Sequence, residues 1–157
     1  LVSNGTKPDM IERLIDHQPT NLYISFYGTT PEMYRKTAVP MVNDFWEKVL
    51  ESMHMLDRFD CNTVIRLTLS KGLNFSDPKG YAEIIEKTGA KFVECKAFMA
   101  VGGSRRVMKY EDMPLHDEIK EFAEQIEKHS SYRIINDKKD SRVVLLSREG
   151  KKFVGID

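Results

Sequence analysis

Three side chains on two strand-like stretches carry most of the chemistry in this sequence: Arg66 within residues 63–72, and Glu94 and Lys96 within residues 92–99. A guanidinium stays charged and is costly to bury alone, so Arg66 requires a carboxylate or phosphate, supplied by a ligand or by the chain itself. Glu94 is the internal candidate. A carboxylate and an ammonium on one strand face, beside a guanidinium, make a charged interior that a core does not tolerate without partners. Lys96, and Lys71 at the end of the first stretch, offer amines suited to general-base work or carbonyl binding; the alternative is a solvated rim lysine. Cys95 alternates away from Glu94 and Lys96 and reads as a small buried hydrophobe.

Other chemistry is thin. His17, His54 and His129 lack a second ligand at metal spacing. Gly102-Gly103 follows a strand without the spacing of a dinucleotide or P-loop fingerprint. Arg105, Arg106 and Lys109 form a basic loop suited to a nucleic-acid backbone, or to plain solvation. With 24 basic and 24 acidic residues in 157, no global field draws the chain to nucleic acid or a membrane, so any such binding needs a local patch. Two distant cysteines form no disulfide framework and fit a reducing, cytoplasmic setting. No apolar run is long enough to span a bilayer.

The elements that must position these residues follow from periodicity. In residues 63–72, Val64, Ile65, Leu67 and Leu69 supply strand-forming bulk, while Arg66, Thr68 and Ser70 recur at period two. An ordinary buried parallel strand is apolar on both faces, so a polar face implies a cavity on one side and helices on the other. Upstream, residues 1–6 read as a strand end breaking at Asn4-Gly5, and Pro8 opens a helix through Ile15. Residues 22–27 form the next strand, and Thr30 caps a helix with Pro31 at its first position. Phe45, Val49, Met53 and Leu56 recur at helical spacing over residues 42–56, with Asn43 or Asp44 as cap.

Asp77-Pro78 begins a further helix, which Gly89 closes as a C-terminal glycine. Residues 116–129 place Ile119, Phe122, Ala123 and Ile126 on one helical face, before strands at 132–135 and 142–147. A hairpin-like turn at 148–151 precedes a last strand at 153–156. Alternating strands and helices predict an α/β fold with parallel crossovers, a rhythm the final strands break. Ligands in such sheets sit beyond the carboxyl ends of the strands, which gathers Asn4, Ser25, Tyr27, Ser70, Lys71 and Lys96 at one rim. We expect a single domain over residues 1–157. The chain opens on Leu1 within strand-like sequence, which leads us to expect a fragment or a processed chain.

These stretches carry a resemblance. Leu1-Val2-Ser3-Asn4-Gly5-Thr6, Leu22-Tyr23-Ile24-Ser25, Val64 through Gly72 and Phe92 through Met99 resemble successive strands of a radical SAM barrel. They are most similar to the tRNA wybutosine-synthesising 4-demethylwyosine synthases, and the likeness continues through Met113 to Ile119 and Asp140 to Leu146. The resemblance implies the carboxyl-terminal portion of a partial (β/α) barrel, lacking the amino-terminal half that binds the cluster. It implies S-adenosylmethionine and a 4Fe-4S cluster as cofactors of the parent enzyme, and phenylalanine tRNA and pyruvate as its partners. By the same similarity Asn4, Ser25, Arg66 and Thr68 approach the cofactor. Lys71, Glu94, Lys96, Arg105 and Arg106 fall to the substrate side.

The cluster motif Cys-x-x-x-Cys-x-x-Cys is absent, and no metal ligand is assigned in this chain. Two further departures stand out: Ser25-Phe26-Tyr27 in place of a family Ser-x-Asp, and Val39-Pro40 in place of Arg-Pro. The alternatives are a binding module without a cluster, or a radical SAM enzyme with another substrate. An exposed sheet edge beside residues 1–5, open to the missing half or to self-association, is expected on either reading.

Overall fold

The computed structural model describes residues 1–148 and 152–153. Among them six strands form one sheet in the order β1-β2-β3-β4-β6-β5. These are β1 Val2–Ser3, β2 Asn21–Ser25, β3 Asn62–Leu69, β4 Phe92–Ala97, β5 Tyr132–Lys138 and β6 Val143–Arg148. The first four are parallel, as the alternating pattern predicts. The rhythm breaks where β6 returns antiparallel against β4 and β5 forms the outer edge. β1 is the other edge, with Leu1 and Val2 more than half exposed.

Period-two alternation decides what each face buries. Ile65, Leu67 and Leu69 of β3 and Val93 and Cys95 of β4 are buried in one core with Val144 and Leu146. Five helices supply the rest: α1 Pro8–Arg13, α2 Pro31–Ala38, α3 Phe45–His54, α4 Pro78–Glu86 and α5 His116–Lys128. Tyr81 and Ile85 of α4 and Ile119, Phe122, Ala123 and Ile126 of α5 complete the packing on that side. Each fully buried side chain of this size contributes about 1.5–3 kcal/mol. Phe26 and Tyr34 join Phe45 and Trp46 in a tight ring cluster, with Tyr34 and Phe45 stacked at 5.3 Å.

Local signals explain the helix starts. Thr30 Oγ1 accepts from Met33 N at 3.2 Å and Pro31 takes the first position, as its sequence predicts. Asp77 caps α4 by accepting from Gly80 N at 3.0 Å. At α3 the sequence pattern starts too early: the helix begins at Phe45, and Asp44 flanks it without capping. Its carboxylate pairs instead with Lys48 at 2.9 Å, one turn along.

Gly5 takes φ 71°, the left-handed turn expected at Asn4-Gly5. Gly89 serves a different purpose from a left-handed helix end. It lies outside the positive-φ residues, and a Cβ there would overlap the Cβ and Cα of Asp57. Close approach of two chain segments is what fixes this glycine. Residues 102–106, expected as part of a basic loop, form a 3-10 turn in which Ser104 Oγ donates to Val101 O at 2.7 Å. The hairpin turn and last strand expected over 148–156 lie mostly outside the described residues.

The carboxyl-terminal hairpin is fastened to α4 through Glu86. Its carboxylate accepts from Ser131 N at 2.9 Å, Ser131 Oγ at 2.8 Å and Arg148 Nη2 at 3.0 Å. Burial opposes ionisation of Glu86, but these hydrogen bonds outweigh it and hold the carboxyl below its ordinary value of 4.5. A depressed folded pKa adds stability that is present above pH 4.5 and is lost as pH falls through the folded value. Urea denaturation at neutral and acid pH should therefore show a smaller acid loss for Glu86→Gln than for the parent. Gly89→Ala should cost about 1–3 kcal/mol by overpacking. Gly103→Ala, with open space around its Cβ, should stay within about 0.5 kcal/mol in the same denaturation series.

Candidate functional site

The polar sheet face is built by register. β3 and β4 pair Arg66 with Glu94 and Thr68 with Lys96, while β2 sets Ser25 beside Arg66. Arg66 Nε donates to Glu94 Oε1 at 2.6 Å and Nη2 reaches Oε2 at 3.4 Å, a two-point pairing of fork and carboxylate. The guanidinium lies 4.3 Å from the centroid of the Tyr23 ring, within cation–π distance. Partial burial pushes the Tyr23 phenol above its ordinary value and the Glu94 charge adds to this, while Arg66 works in the opposite direction. Arg66 retains 24% of its side-chain exposure and Glu94 12%, so the pair is reachable from the cavity it borders.

That cavity encloses about 340 Å3 and is lined by Tyr23, Arg66, Glu94 and Lys96 from the parallel strands. Asn136, Asp137 and Lys138 of β5 close it from the far side, with Val143 and Leu145 of β6. Lys96 has no hydrogen-bond or ion-pair partner among the described residues. A guanidinium already matched by a carboxylate, next to an unmatched ammonium, leaves net positive charge for an anionic or carbonyl-bearing ligand. Asp137, also in the wall, is engaged by Lys120 at 3.4 Å and lies 3.6 Å from His116 Nε2.

The structure separates the remaining sequence-derived candidates. Ser25, 6% exposed, and Thr68 flank the ion pair in register but do not line the cavity. Asn4 lines a second cavity of about 470 Å3 at the ends of β1 and β2. Ser70 is drawn into the turn after β3, where its N–H donates to Asn74 Oδ1 at 2.9 Å. Lys71 pairs with Glu118 at the start of α5 at 2.7 Å, away from the Arg66 cavity. That hydrogen bond, together with one from Leu115 N, holds the Glu118 carboxyl below its usual range. Arg105, Arg106 and Lys109 are exposed, and Arg105 Nε donates to Ala100 O at 3.0 Å. Sequence reasoning missed Asn136, Asp137 and Lys138, which alternate in an ordinary polar strand and enter the site only because β6 intervenes between β4 and β5.

Among the described residues no group of three or more metal-ligating side chains converges, and Cys95 is buried. Burial pushes the Cys95 thiol far above its usual range, which leaves it inert as a ligand or nucleophile. The described residues therefore offer no ligand set that fits an iron–sulfur cluster.

Residues 87–148 match the family described as wyosine base formation. The S-adenosyl-L-methionine-dependent tRNA 4-demethylwyosine synthase of Pyrococcus horikoshii is 41% identical over 152 residues, covering 95% of this chain and 44% of that protein. Its counterpart in Methanocaldococcus jannaschii is 38% identical over 153 residues, covering 98% of this chain and 47% of that protein. The chain thus spans less than half the length of these curated relatives.

Among solved structures, that of TYW1 with a lysine-pyruvate adduct bound superposes with a TM-score of 0.84 at 36% identity, covering 97% of this chain and 47% of that one. Coproporphyrinogen III oxidase (HemN) from Escherichia coli, a radical SAM enzyme, matches with a TM-score of 0.58 at 14% identity, over 97% of this chain and 35% of that one. At that identity the likeness is one of fold alone. The architecture is an α/β partial radical SAM barrel, as the resemblance implied.

Removing one partner of the central pair leaves the other charge uncompensated. Glu94→Ala should lower unfolding free energy by about 3 kcal/mol, and Arg66→Met combined with Glu94→Leu should recover most of that loss in urea melts. Equal destabilisation by the single and the double replacement would show that packing, and not the stranded charge, sets the cost.

Proposed function

We propose that this chain, similar over nearly all its length to 4-demethylwyosine synthases, is the carboxyl-terminal half of a radical SAM tRNA-modifying enzyme. The reaction we assign to the parent protein forms 4-demethylwyosine from N1-methylguanosine and pyruvate in phenylalanine tRNA. The observation that carries this reading is the Arg66-Glu94-Lys96 cavity on the polar sheet face, in a chain 41% identical to such a synthase. S-adenosylmethionine with a 4Fe-4S cluster would supply the radical chemistry when bound. The cluster's ligands lie outside this chain, which alone is inactive on this reading, and residues 1–157 form one incomplete barrel domain.

Within that scheme Asn4, Ser25, Arg66 and Thr68 face the cofactor from successive strands, offering an amide, two hydroxyls and a guanidinium. Glu94 holds the guanidinium in its working orientation. Lys96, unmatched inside the protein, presents its ammonium to a carboxylate or carbonyl of the substrate. At the rim Arg105 and Arg106 add positive charge toward the RNA, and Lys71, paired with Glu118, is the third residue of the substrate side there. The exposed edge of β1 pairs with the missing strands, or with a second copy where these are lacking. A tRNA substrate and two free cysteines suit a cytoplasmic protein.

The direct test is product formation by the protein with its natural upstream sequence. It should convert N1-methylguanosine in phenylalanine tRNA to the tricyclic base with pyruvate, S-adenosylmethionine and a reductant, read by mass spectrometry of the digested RNA. Failure of reconstituted, cluster-loaded protein to alter that nucleoside would refute the assignment. Because net charge is zero, RNA affinity should depend on the exposed turn. Replacing Arg105, Arg106 and Lys109 together with Ala should weaken tRNA binding and flatten its salt dependence by up to about three phosphate equivalents.

A further inference from the structure

The segment that follows β4 is fastened at both ends and apolar in the wrong place. Ala100 is 3% exposed and Met113 4%, Ala100 N donates to Met113 Sδ at 3.1 Å, and Lys71 N donates to Asp112 O at 2.9 Å. Between these anchors the chain makes two 3-10 turns, Gly102–Arg106 and Tyr110–Asp112. Met108 N donates to Ser104 O at 2.9 Å, Lys109 N to Asp112 Oδ2 at 2.7 Å and Met113 N to Tyr110 O at 3.2 Å. The backbone thus meets much of its hydrogen-bonding need internally. Yet Val101, Val107 and Tyr110 stand in solvent at 59%, 82% and 71% exposure. A single exposed apolar side chain needs no explanation; three on one fastened segment add nothing to folding and mark a surface for a partner.

The charges beside them select that partner. Arg105, Arg106 and Lys109 are all exposed. Of the two carboxylates that follow, that of Asp112 is taken by Lys109 N, which leaves Glu111 against three cations. An excess of cations favours a polyanion. A membrane would call for a broader apolar face than two valines and one tyrosine supply. A flat ring among cations fits single-stranded nucleic acid, whose phosphates follow a basic track while an unpaired base stacks on an aromatic side chain. Paired RNA offers the phosphates but keeps its bases inside the helix. The segment also leaves the carboxyl end of β4, the strand of Glu94 and Lys96, and ligands enter α/β sheets at such ends. With its backbone already ordered, it gives up little entropy on binding.

We propose that Tyr110 is a stacking platform for an unpaired RNA base, set beside the phosphate-holding Arg105, Arg106 and Lys109, so that this segment selects single-stranded over paired RNA. The proposal rests on the RNA substrate assigned above. The cations alone would hold either form of RNA, and the ring supplies the preference.

The test uses the protein with its upstream sequence and two labelled RNAs, the anticodon stem–loop of phenylalanine tRNA and a fully paired duplex. Tyr110→Ala should weaken stem–loop binding at least about fivefold, with duplex binding and the salt slope unchanged, because a stack is lost and no phosphate contact is. Tyr110→Phe keeps the ring and should bind like the parent. Unchanged stem–loop affinity in Tyr110→Ala overturns the proposal, as does an equal loss on the duplex or an equal loss in Tyr110→Phe. Vesicles of phosphatidylcholine with phosphatidylserine are the third probe, and Tyr110-dependent binding to them with RNA affinity unchanged would assign the segment to a membrane and overturn the proposal. A parent that binds neither RNA overturns it whatever the protein converts. Conversion of N1-methylguanosine keeps the two readings apart. Tyr110-dependent stem–loop binding without conversion refutes the synthase assignment alone, and conversion with Tyr110→Ala binding like the parent refutes the stacking role alone.

Discussion

The Arg66–Glu94 ion pair is the constraint on which the sheet depends. At 2.6 Å between adjacent parallel strands, it lets a guanidinium sit on a mostly enclosed face that would otherwise exclude it. It also reports register. Side chains alternate with period two, so a one-residue slip of β3 would turn Arg66 into the helix-covered core and expose Ile65 and Leu67. The hydrophobic set on one face and the ion pair on the other therefore specify the same alignment, and that agreement accounts for the sharp division of the sheet into an apolar and a polar side.

From that division the site follows. Ile65, Leu67 and Leu69 of β3 and Val93 and Cys95 of β4 are taken up by the core beneath α4 and α5, leaving Arg66, Glu94 and Lys96 of the opposite face to border a cavity. The antiparallel return of β6 then brings β5 within reach, and its polar end closes the space. Lys96 is left with its charge unmatched beside a neutralised Arg66. A site whose free ammoniums are those of Lys96 and Lys138 can select an anion or a carbonyl, while the paired charges add little to the local field.

Much of this was legible in the sequence because period and capping are local. The alternation of Arg66, Thr68 and Ser70 with Leu67 and Leu69 announces the two faces, and Thr30-Pro31 announces a helix start. The Arg66–Glu94 pairing was accessible because neighbouring strands in alternating βα units usually pair. What was not legible is long-range. Gly89 reads as a helix end, but its reason is the backbone of Asp57, distant in sequence. Lys71 reads as a rim amine, but the placement of α5 brings Glu118 against it.

The central claim is that the polar face exists to handle ligands and that the ion pair is oriented for them. An internal brace would work equally well with its charges exchanged, so the decisive measurement combines Arg66→Glu with Glu94→Arg in the protein with its upstream sequence. Stability by urea denaturation and conversion of N1-methylguanosine in phenylalanine tRNA are read on the same preparation. The account predicts that the exchange restores most of the stability lost in either single variant, to within about 1 kcal/mol of the parent, while conversion stays abolished. Conversion at the parental rate by the exchanged protein would contradict it.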